Sequence, residues 1–265
     1  GFSYRRIIFT DNIVIEKSFF KDVILEYDDI KHISLKKIKT EKETILLYGP
    51  PKGGKTWAYC SYIEHVINKD GNVYIINTDS GVSKTFKQYF GDKLNEVKDK
   101  INYYFIGDMD QARKVVLELI PKVEENDLII FDLMSDIWTL AQQKFISDVS
   151  GGDPIQYIVN ASKDKKKFGV FEGSMWSYIT SAHDFVVNPF VNAIKCNVIG
   201  VCAQKDLDVQ KAYGGKNKNQ EYEAAGAKPA GQPRLAYLFN TIVYVNKLEK
   251  GDKHYFQIMG DRGAT

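Results

Sequence analysis

Eight residues, running from Gly49 to Thr56, have the types and spacing that bind a phosphate group. They are GPPKGGKT and match the pattern G-x4-G-K-[ST]. Glycines let such a loop turn its backbone N–H groups inward on a β-phosphate, and the helix that follows adds its positive N-terminal end. The lysine then bridges the β- and γ-phosphates, and the final hydroxyl holds Mg²⁺. The sequence predicts a nucleotide-binding loop composed of Gly49, Pro50, Pro51, Lys52, Gly53, Gly54, Lys55 and Thr56.

Asp132 is the residue best suited to share a metal ion with that loop. It ends the run LIIFD at 128–132, whose composition is typical of a buried strand. A carboxylate at the end of such a strand is the second protein group that positions Mg²⁺ beside a phosphate loop. We therefore expect Thr56 and Asp132 to be the metal ligands; the alternative role for Asp132 is to cap the next helix. The residue after it is Leu133 and not Glu, which counts against ring ATPases and packaging motors.

Strand and helix patterns alternate along the chain and must position these groups. Apolar runs that favour buried parallel strands lie at 44–48, 72–76, 101–106, 127–132 and 197–202. Helical periodicity is found at 56–68, 112–125 and 174–194, and two successive strands are expected at 235–248 and 253–259. Strands that alternate with helices before a β-rich tail predict an α/β fold with a mainly parallel sheet, flanking helices and antiparallel C-terminal strands.

The start of one helix and the domain boundaries follow from shorter patterns. Asp108 and Gln111 have the spacing of a capping box, so a helix is expected to begin there. Residues 1–40 contain short apolar runs separated by charges and predict a small β-rich N-terminal extension. Residues 41–265 then form the main domain.

The composition excludes several classes of protein. With 44% hydrophobic and 26% charged residues, the 265-residue chain has the balance of a folded globular protein. It has no apolar run long enough for a membrane span and no signal-peptide core, so we expect a cytoplasmic protein without a membrane partner. Three cysteines form no CxxC pair and are expected to be buried thiols, and four scattered histidines suggest no metal cage. A net charge of +2 means that any nucleic-acid-binding surface must be local.

The phosphate loop, Asp132 and two further polar positions resemble the RecA-like ATPases, which include RecA, RadA, KaiC and related phage-encoded proteins. In that family a catalytic glutamate ends the strand after the phosphate-loop helix, and Asp79 stands at that position here. A polar sensor of the γ-phosphate, commonly Gln, ends a later strand, where this sequence has Gln204. The resemblance covers 41–265 and implies an enzyme that hydrolyses ATP with Mg²⁺.

Each of these positions also has a simpler interpretation. Asp79 is shorter than the expected glutamate and can be a turn residue in the sequence TDSG, and Gln204 can be a polar strand end. If Asp79 is not the base, the carboxylates to consider next are Glu41, Glu43 and Asp136. A small GTPase is disfavoured, because the sequence NKLE that begins at Asn246 lacks the aspartate that recognises guanine.

The resemblance further implies two loops that face single-stranded DNA, after the Asp132 region and after the Gln204 strand. The corresponding segments, 147–173 and 207–233, are long and combine lysines, which neutralise phosphates, with tyrosines, which can stack on bases. The predicted DNA contacts are Lys163, Lys165, Lys166, Lys167, Lys211, Tyr213, Lys216 and Lys218, and Tyr222 is a further stacking candidate. The alternative is a pair of solvated loops with ordinary surface lysines.

RecA-like proteins also assemble, and a basic group of one subunit reaches the nucleotide of the next. Arg262 is the first candidate for that role and Lys250 the second. The expected protein is thus a homo-oligomer, a ring or a filament, that acts with single-stranded DNA in recombination, annealing or replication. The alternatives are a helicase or DNA-packaging motor, and a nucleotide-gated scaffold or regulatory protein with weak hydrolysis.

Overall fold

The computed structural model describes residues 6–9, 13–18, 21–26, 42–79, 81–151, 156, 159, 173–207, 220–247 and 254–261. The strands are β1 (Arg6–Phe9), β2 (Ile13–Ser18), β3 (Lys21–Glu26), β4 (Thr44–Gly49), β5 (Val73–Asn77), β6 (Ile101–Phe105), β7 (Leu128–Asp132), β8 (Asn197–Asp206), β9 (Ala227–Pro229), β10 (Thr241–Lys247) and β11 (His254–Asp261). The α-helices are α1 (Lys55–Asn68), α2 (Val82–Phe90), α3 (Leu94–Val97), α4 (Met109–Leu119), α5 (Met134–Ser150) and α6 (Gly173–Asn188).

One large sheet organises the described part of the chain. Its strand order is β3-β2-β1-β11-β10-β4-β8-β7-β5-β6, with β9 paired to β8. The six strands from β10 to β6 in this order are parallel, whereas β11, β1, β2 and β3 continue the sheet by antiparallel pairing. The predicted fold class is confirmed: the sheet is mainly parallel, helices flank it, and the C-terminal strands are antiparallel.

The helices cover both faces of the parallel strands, which explains the continuous apolar runs of the sequence. On one face, Leu46 and Phe131 pack with apolar residues of α4, α5 and α6. On the other face, Leu47 and Ile130 pack with residues of α1 and α2. All three cysteines are buried and free, as predicted. None of the described helices combines the length and the apolar character that crossing a bilayer requires.

Several predicted boundaries are wrong in detail. Helix α4 ends at Leu119, and the capping pair is present, because the Asp108 carboxylate accepts a hydrogen bond from the backbone N–H of Gln111 at 2.7 Å. Helix α5 extends to Ser150, so the first residues of the predicted loop at 147–173 are helical. Helix α6 passes at Pro189 into a π-helical turn.

The largest error concerns 235–248, predicted as one strand. Leu235–Leu238 forms a 3₁₀ turn, and β10 begins only at Thr241, where pairing with β4 starts opposite Ile45. The turn is stabilised at its end by Thr44, whose backbone and side-chain oxygens both accept from the N–H of Asn240. An apolar composition alone does not distinguish a partly buried 3₁₀ turn from a strand.

Candidate nucleotide-binding site

The predicted phosphate loop connects β4 to α1, as a strand–loop–helix motif requires. The loop packs against β10, where a Cβ atom at Gly49 would come within 1.9 Å of the Val245 carbonyl oxygen, so only glycine fits. Gly54, directly before α1, has φ 96°, a left-handed conformation that glycine adopts without strain. The backbone N–H of Gly53 donates to Pro50 O at 3.1 Å and closes the turn.

Lys55 folds back onto the base of the loop. Its ammonium group donates to the carbonyl oxygens of Gly49 and Pro50 at 2.9 and 2.7 Å. Burial lowers the pKa of Lys55, and the nearby Asp132 carboxylate opposes that shift. A partly desolvated cation beside a carboxylate is well suited to bind an anionic phosphate.

Asp132 lies at the end of β7 and is 4% exposed. The hydroxyl group of Tyr59, on α1, donates to its Oδ2 atom at 2.9 Å. Burial raises the pKa of Asp132 to about 6; Tyr59 and the charge of Lys55 lower it, while the carboxylates of Asp79 and Asp136 raise it further. A divalent cation would favour the ionised form of this carboxylate, and Mg²⁺ prefers oxygen ligands. The donor set of Thr56, in the first turn of α1, and Asp132 therefore fits Mg²⁺.

The register of the strands brings these groups to one edge of the sheet. Asp132 is the partner of Val201 on β8, and Val201 is in turn the partner of Leu47 on β4. Gly49, where the loop begins, pairs with Ala203, so Gln204 is the next residue along that edge. The carboxyl ends of parallel strands are where α/β proteins bind ligands.

Gln204 is half-buried, and its Oε1 atom accepts a hydrogen bond from the hydroxyl of Tyr244 at 3.2 Å. It does not end its strand, because β8 continues to Asp206 and pairs there with β9. This short antiparallel pair, which the sequence pattern did not indicate, gives Gln204 a rigid backbone beside the start of the loop.

Asp79 lies two residues beyond β5, and its side chain is exposed. Its Oδ1 atom accepts from the backbone N–H of Gly81 at 3.2 Å, which is the contact of a turn-forming aspartate. The backbone carbonyl of Asp79 accepts from the hydroxyl of Tyr103 at 3.1 Å and from the amide of Asn77. The position is thus fixed by its main chain, and the carboxylate is close enough to Asp132 to raise the pKa of that residue.

Asp136, which was an alternative to Asp79 as the base, lies inside the site. Thr78 donates its hydroxyl hydrogen to Asp136 Oδ2 at 3.0 Å and accepts from the N–H of Leu133 at 3.0 Å. The hydroxyl of Ser135 donates to Asp136 Oδ1 and accepts from the N–H of Ala203, both at 3.4 Å. These contacts connect the ends of β5, β7 and β8. Glu43 is the other described alternative to Asp79. It precedes β4 and therefore lies at the opposite edge of the sheet from the loop.

His254 is a further contact of the loop, and no sequence pattern pointed to it. Its Nδ1 atom lies 2.9 Å from the carbonyl oxygen of Gly53, and it is the first residue of β11. A Cβ atom at Gly54 would come within 2.8 Å of the same imidazole nitrogen. The C-terminal hairpin therefore packs directly on the phosphate loop.

The predicted DNA contacts and the basic groups proposed to act between subunits lie outside the described residues. These are Lys163, Lys165, Lys166, Lys167, Lys211, Tyr213, Lys216, Lys218, Lys250 and Arg262, and Glu41, a further alternative to Asp79, lies outside them too. Tyr222 is described and is 7% exposed, with its ring edge-on to Tyr48 at 6.2 Å between centroids. The suggestion that it stacks on DNA bases is therefore wrong, because its ring is part of the core.

Among solved structures, the chain is similar to the crystal structure of the RadB recombinase. The match has a TM-score of 0.43 and 16% sequence identity, and it covers 78% of this chain and 76% of the recombinase. No model of a protein family matches the sequence, and no curated protein does. At this TM-score and identity, the similarity assigns no function to the chain.

Proposed function

We propose that this chain is a RecA-like ATPase that binds ATP with Mg²⁺ at residues 49–56 and hydrolyses it. The main support is the strand register, which brings the loop, Asp132 and Gln204 to the same edge of the sheet. A glycine turn with no ligand would not need a buried carboxylate beside a half-buried lysine, with an amide at the same edge of the sheet.

In this proposal, the Lys55 ammonium and the N–H groups at the start of α1 bind the phosphates. Lys55 exchanges its contacts with two loop carbonyls for contacts with phosphate oxygens. Thr56 and Asp132 hold Mg²⁺, which when bound neutralises the charge that develops during phosphoryl transfer.

Asp79 and Gln204 have the catalytic tasks. Asp79 accepts a hydrogen bond from the attacking water and orients it; the backbone contacts of Asp79 to Tyr103 and Asn77 keep that turn in place. Gln204 donates its amide hydrogens to the γ-phosphate, and loss of that phosphate changes the affinity of the protein for DNA.

The proposed partner is single-stranded DNA, and the proposed processes are recombination, annealing or replication. Lysines of the two segments after α5 and after β8 bind the DNA backbone, in a homo-oligomer where Arg262, or Lys250, contacts the nucleotide of the neighbouring subunit. This part of the proposal is supported by the sequence resemblance and by the position of Gln204 directly before the second segment.

A nucleotide-gated scaffold is the second candidate, and one observation favours it. The Asp79 carboxylate is exposed and accepts from Gly81, so it can serve the turn without serving catalysis. In that case ATP sets the assembly state and hydrolysis is slow. A helicase or packaging motor shares the same nucleotide site but translocates on duplex or forked DNA.

ATP hydrolysis measured without DNA, with single strands and with duplex DNA separates the three. Stimulation by single strands supports the favoured function, and stimulation by duplex DNA supports a motor. A slow rate of hydrolysis that DNA does not change, together with nucleotide-dependent assembly in analytical ultracentrifugation, supports the scaffold. Failure to bind ATP at all contradicts every one of these functions.

The DNA contacts are tested by replacing Lys163, Lys165, Lys166 and Lys167 with alanine. Fluorescence anisotropy of a labelled single strand should show weaker binding with any sequence and a smaller dependence on salt, because fewer counterions are released. The matched control replaces four exposed lysines of the α2–α3 region, Lys84, Lys87, Lys93 and Lys98. Equal losses in the two fourfold variants would indicate a general charge effect and no DNA site at 163–167.

A further inference from the structure

The amide of Gln204 belongs to a chain of hydrogen bonds that crosses the C-terminal hairpin. Tyr244 donates from its hydroxyl to Gln204 Oε1 at 3.2 Å. Asn246 donates from its amide nitrogen to the hydroxyl oxygens of Tyr244 and Tyr255, at 3.0 and 3.3 Å. The side-chain carbonyl oxygen of Asn246 accepts a hydrogen bond from the backbone N–H of Lys247 at 2.7 Å. Four side chains of β8, β10 and β11 are thereby connected.

The fixed end of this chain determines the orientation of Asn246. The N–H of Lys247 can only donate, so the atom of Asn246 that faces it must be the carbonyl oxygen. The amide nitrogen of Asn246 then faces Tyr244 and supplies a hydrogen to its oxygen. Tyr244 in turn directs its own hydrogen to Gln204 Oε1. In the structure, Gln204 thus has its acceptor toward β10, and its NH₂ group is the end that can donate to a nucleotide.

Packing holds Tyr244 in the position that this task needs. The side chain is 3% exposed, and its ring lies 5.1 Å from the ring of Tyr48 and 6.0 Å from that of Tyr255. Tyr48 directly precedes Gly49, the first residue of the phosphate loop. Burial raises the pKa of Tyr244, which favours the protonated hydroxyl that donates to Gln204.

We propose that Tyr244 is a positioning residue, which orients the Gln204 amide so that its NH₂ group, and not its carbonyl oxygen, meets the γ-phosphate. The inference depends on the proposed function, because it assigns a partner to Gln204 within that site. A carbonyl oxygen turned toward the γ-phosphate would repel it, whereas the NH₂ group donates. Tyr244 acts only when a γ-phosphate is present, since ADP offers no group at that position.

Tyr244→Phe tests this assignment, because phenylalanine keeps the ring and removes only the hydroxyl. We expect kcat for ATP hydrolysis to fall about five- to tenfold, which corresponds to the loss of one hydrogen bond. The affinity for ADP should stay within about twofold, because the loop and Lys55 are intact. A second measurement is the ratio of affinities for a non-hydrolysable ATP analogue and for ADP, which should decrease by a similar factor.

A double-mutant cycle separates positioning from a general loss of packing. In the Gln204→Ala background, Tyr244→Phe should change neither kcat nor the affinity ratio, because the amide that it orients is gone. Tyr48→Phe is the matched control: it also removes one buried tyrosine hydroxyl, which donates to the Ala227 carbonyl oxygen at 3.2 Å, and it should leave the affinity ratio unchanged. An equal effect of Tyr244→Phe with and without Gln204 overturns the inference.

The outcomes distinguish this inference from the proposed function. Absence of nucleotide binding by the unaltered chain overturns both. If the unaltered chain binds nucleotide and Tyr244→Phe has the same kcat and the same affinity ratio, only the role of Tyr244 is overturned. Where hydrolysis is too slow to measure, the affinity ratio alone decides. If Tyr244→Phe does not fold, judged by its thermal melt, the same cycle is run with Asn246→Ala. This half-buried position supplies the hydrogen bond to Tyr244, and an effect that persists in the Gln204→Ala background would again overturn the inference.

Discussion

The ends of β7 and β5 are neighbours in the sheet, since Asp132 pairs with Asn77, yet they present their carboxylates in opposite environments. Asp132 is 4% exposed and accepts a hydrogen bond from Tyr59, whereas Asp79 is exposed and accepts only from a turn N–H among the contacts described for its side chain. Burial raises the pKa of Asp132 to about 6. Ionising this carboxylate therefore destabilises the folded state, and a bound cation removes that destabilisation.

This difference fits the proposed division of tasks along one edge of the sheet. The buried end is organised before any ligand arrives, as a metal-binding group should be. The exposed end is fixed only by its main chain and leaves the carboxylate in contact with water, which is what a group that orients a water molecule needs. Variants at the buried end should therefore change binding and stability, and variants at the exposed end should change turnover alone.

The largest effect is expected from Lys55→Ala at the buried end. The substitution removes the cation that is proposed to bridge the β- and γ-phosphates, so ATP affinity should fall by at least about a hundredfold. Titration with a fluorescent ATP analogue measures this loss. Lys69→Ala, at an exposed position at the far end of α1, is the control and should bind normally. Unchanged affinity in Lys55→Ala would contradict the assignment of the phosphate loop.

Much of this buried end could be predicted from the sequence because its signals are local. The glycine pattern of the loop identifies residues that must turn sharply, and the run before Asp132 shows a strand covered on both faces. The pairing of Asp108 with Gln111 was likewise confirmed, since a capping box needs only residues three positions apart.

The contacts that complete the site were not predictable, because they join residues far apart in the chain. Tyr244 and Gln204 meet through the order of β10, β4 and β8, and His254 reaches Gly53 only because β11 lies beside β10. Thr78 and Asp136 are brought together by the pairing of β5 with β7. No spacing rule in a single sequence reports which strands are neighbours.

The second prediction uses the raised pKa of Asp132. Between its usual pKa of 3.8 and about 6, the folded chain keeps a proton that the unfolded chain has released, so this group makes stability fall as pH rises through that window. Asp132→Asn imitates the protonated form and can still accept from Tyr59. The variant should be more stable than the parent at pH 7.5, by up to about 3 kcal/mol, and by only about 1 kcal/mol at pH 4.5.

Urea unfolding of both proteins at the two pH values measures this difference, with Asp92→Asn as the exposed control that should be neutral at both. The same Asp132→Asn protein should lose the stabilisation that Mg²⁺ and ATP give to the parent, because the ionised metal ligand is missing. A variant that is less stable than the parent at pH 7.5 would contradict the conclusion that ionised Asp132 destabilises the folded chain.

The smallest effect is expected at the exposed end, and it decides between an enzyme and a scaffold. Asp79→Asn should bind ATP and ADP as the parent does, since the side chain makes little contact with the nucleotide before reaction, but kcat should fall about tenfold or more because asparagine is a weak acceptor for the attacking water. Asp92→Asn is the matched control: it is an exposed carboxylate two residues beyond the end of α2, a nine-residue helix about 13 Å long at 1.5 Å per residue. If Asp79→Asn hydrolyses ATP at the parental rate, Asp79 is only a turn residue, and Asp136→Asn becomes the decisive variant. The Asp136 carboxylate connects Thr78 with Ser135. If Asp136→Asn loses turnover while it keeps its affinity for nucleotide, Asp136 and not Asp79 orients the attacking water.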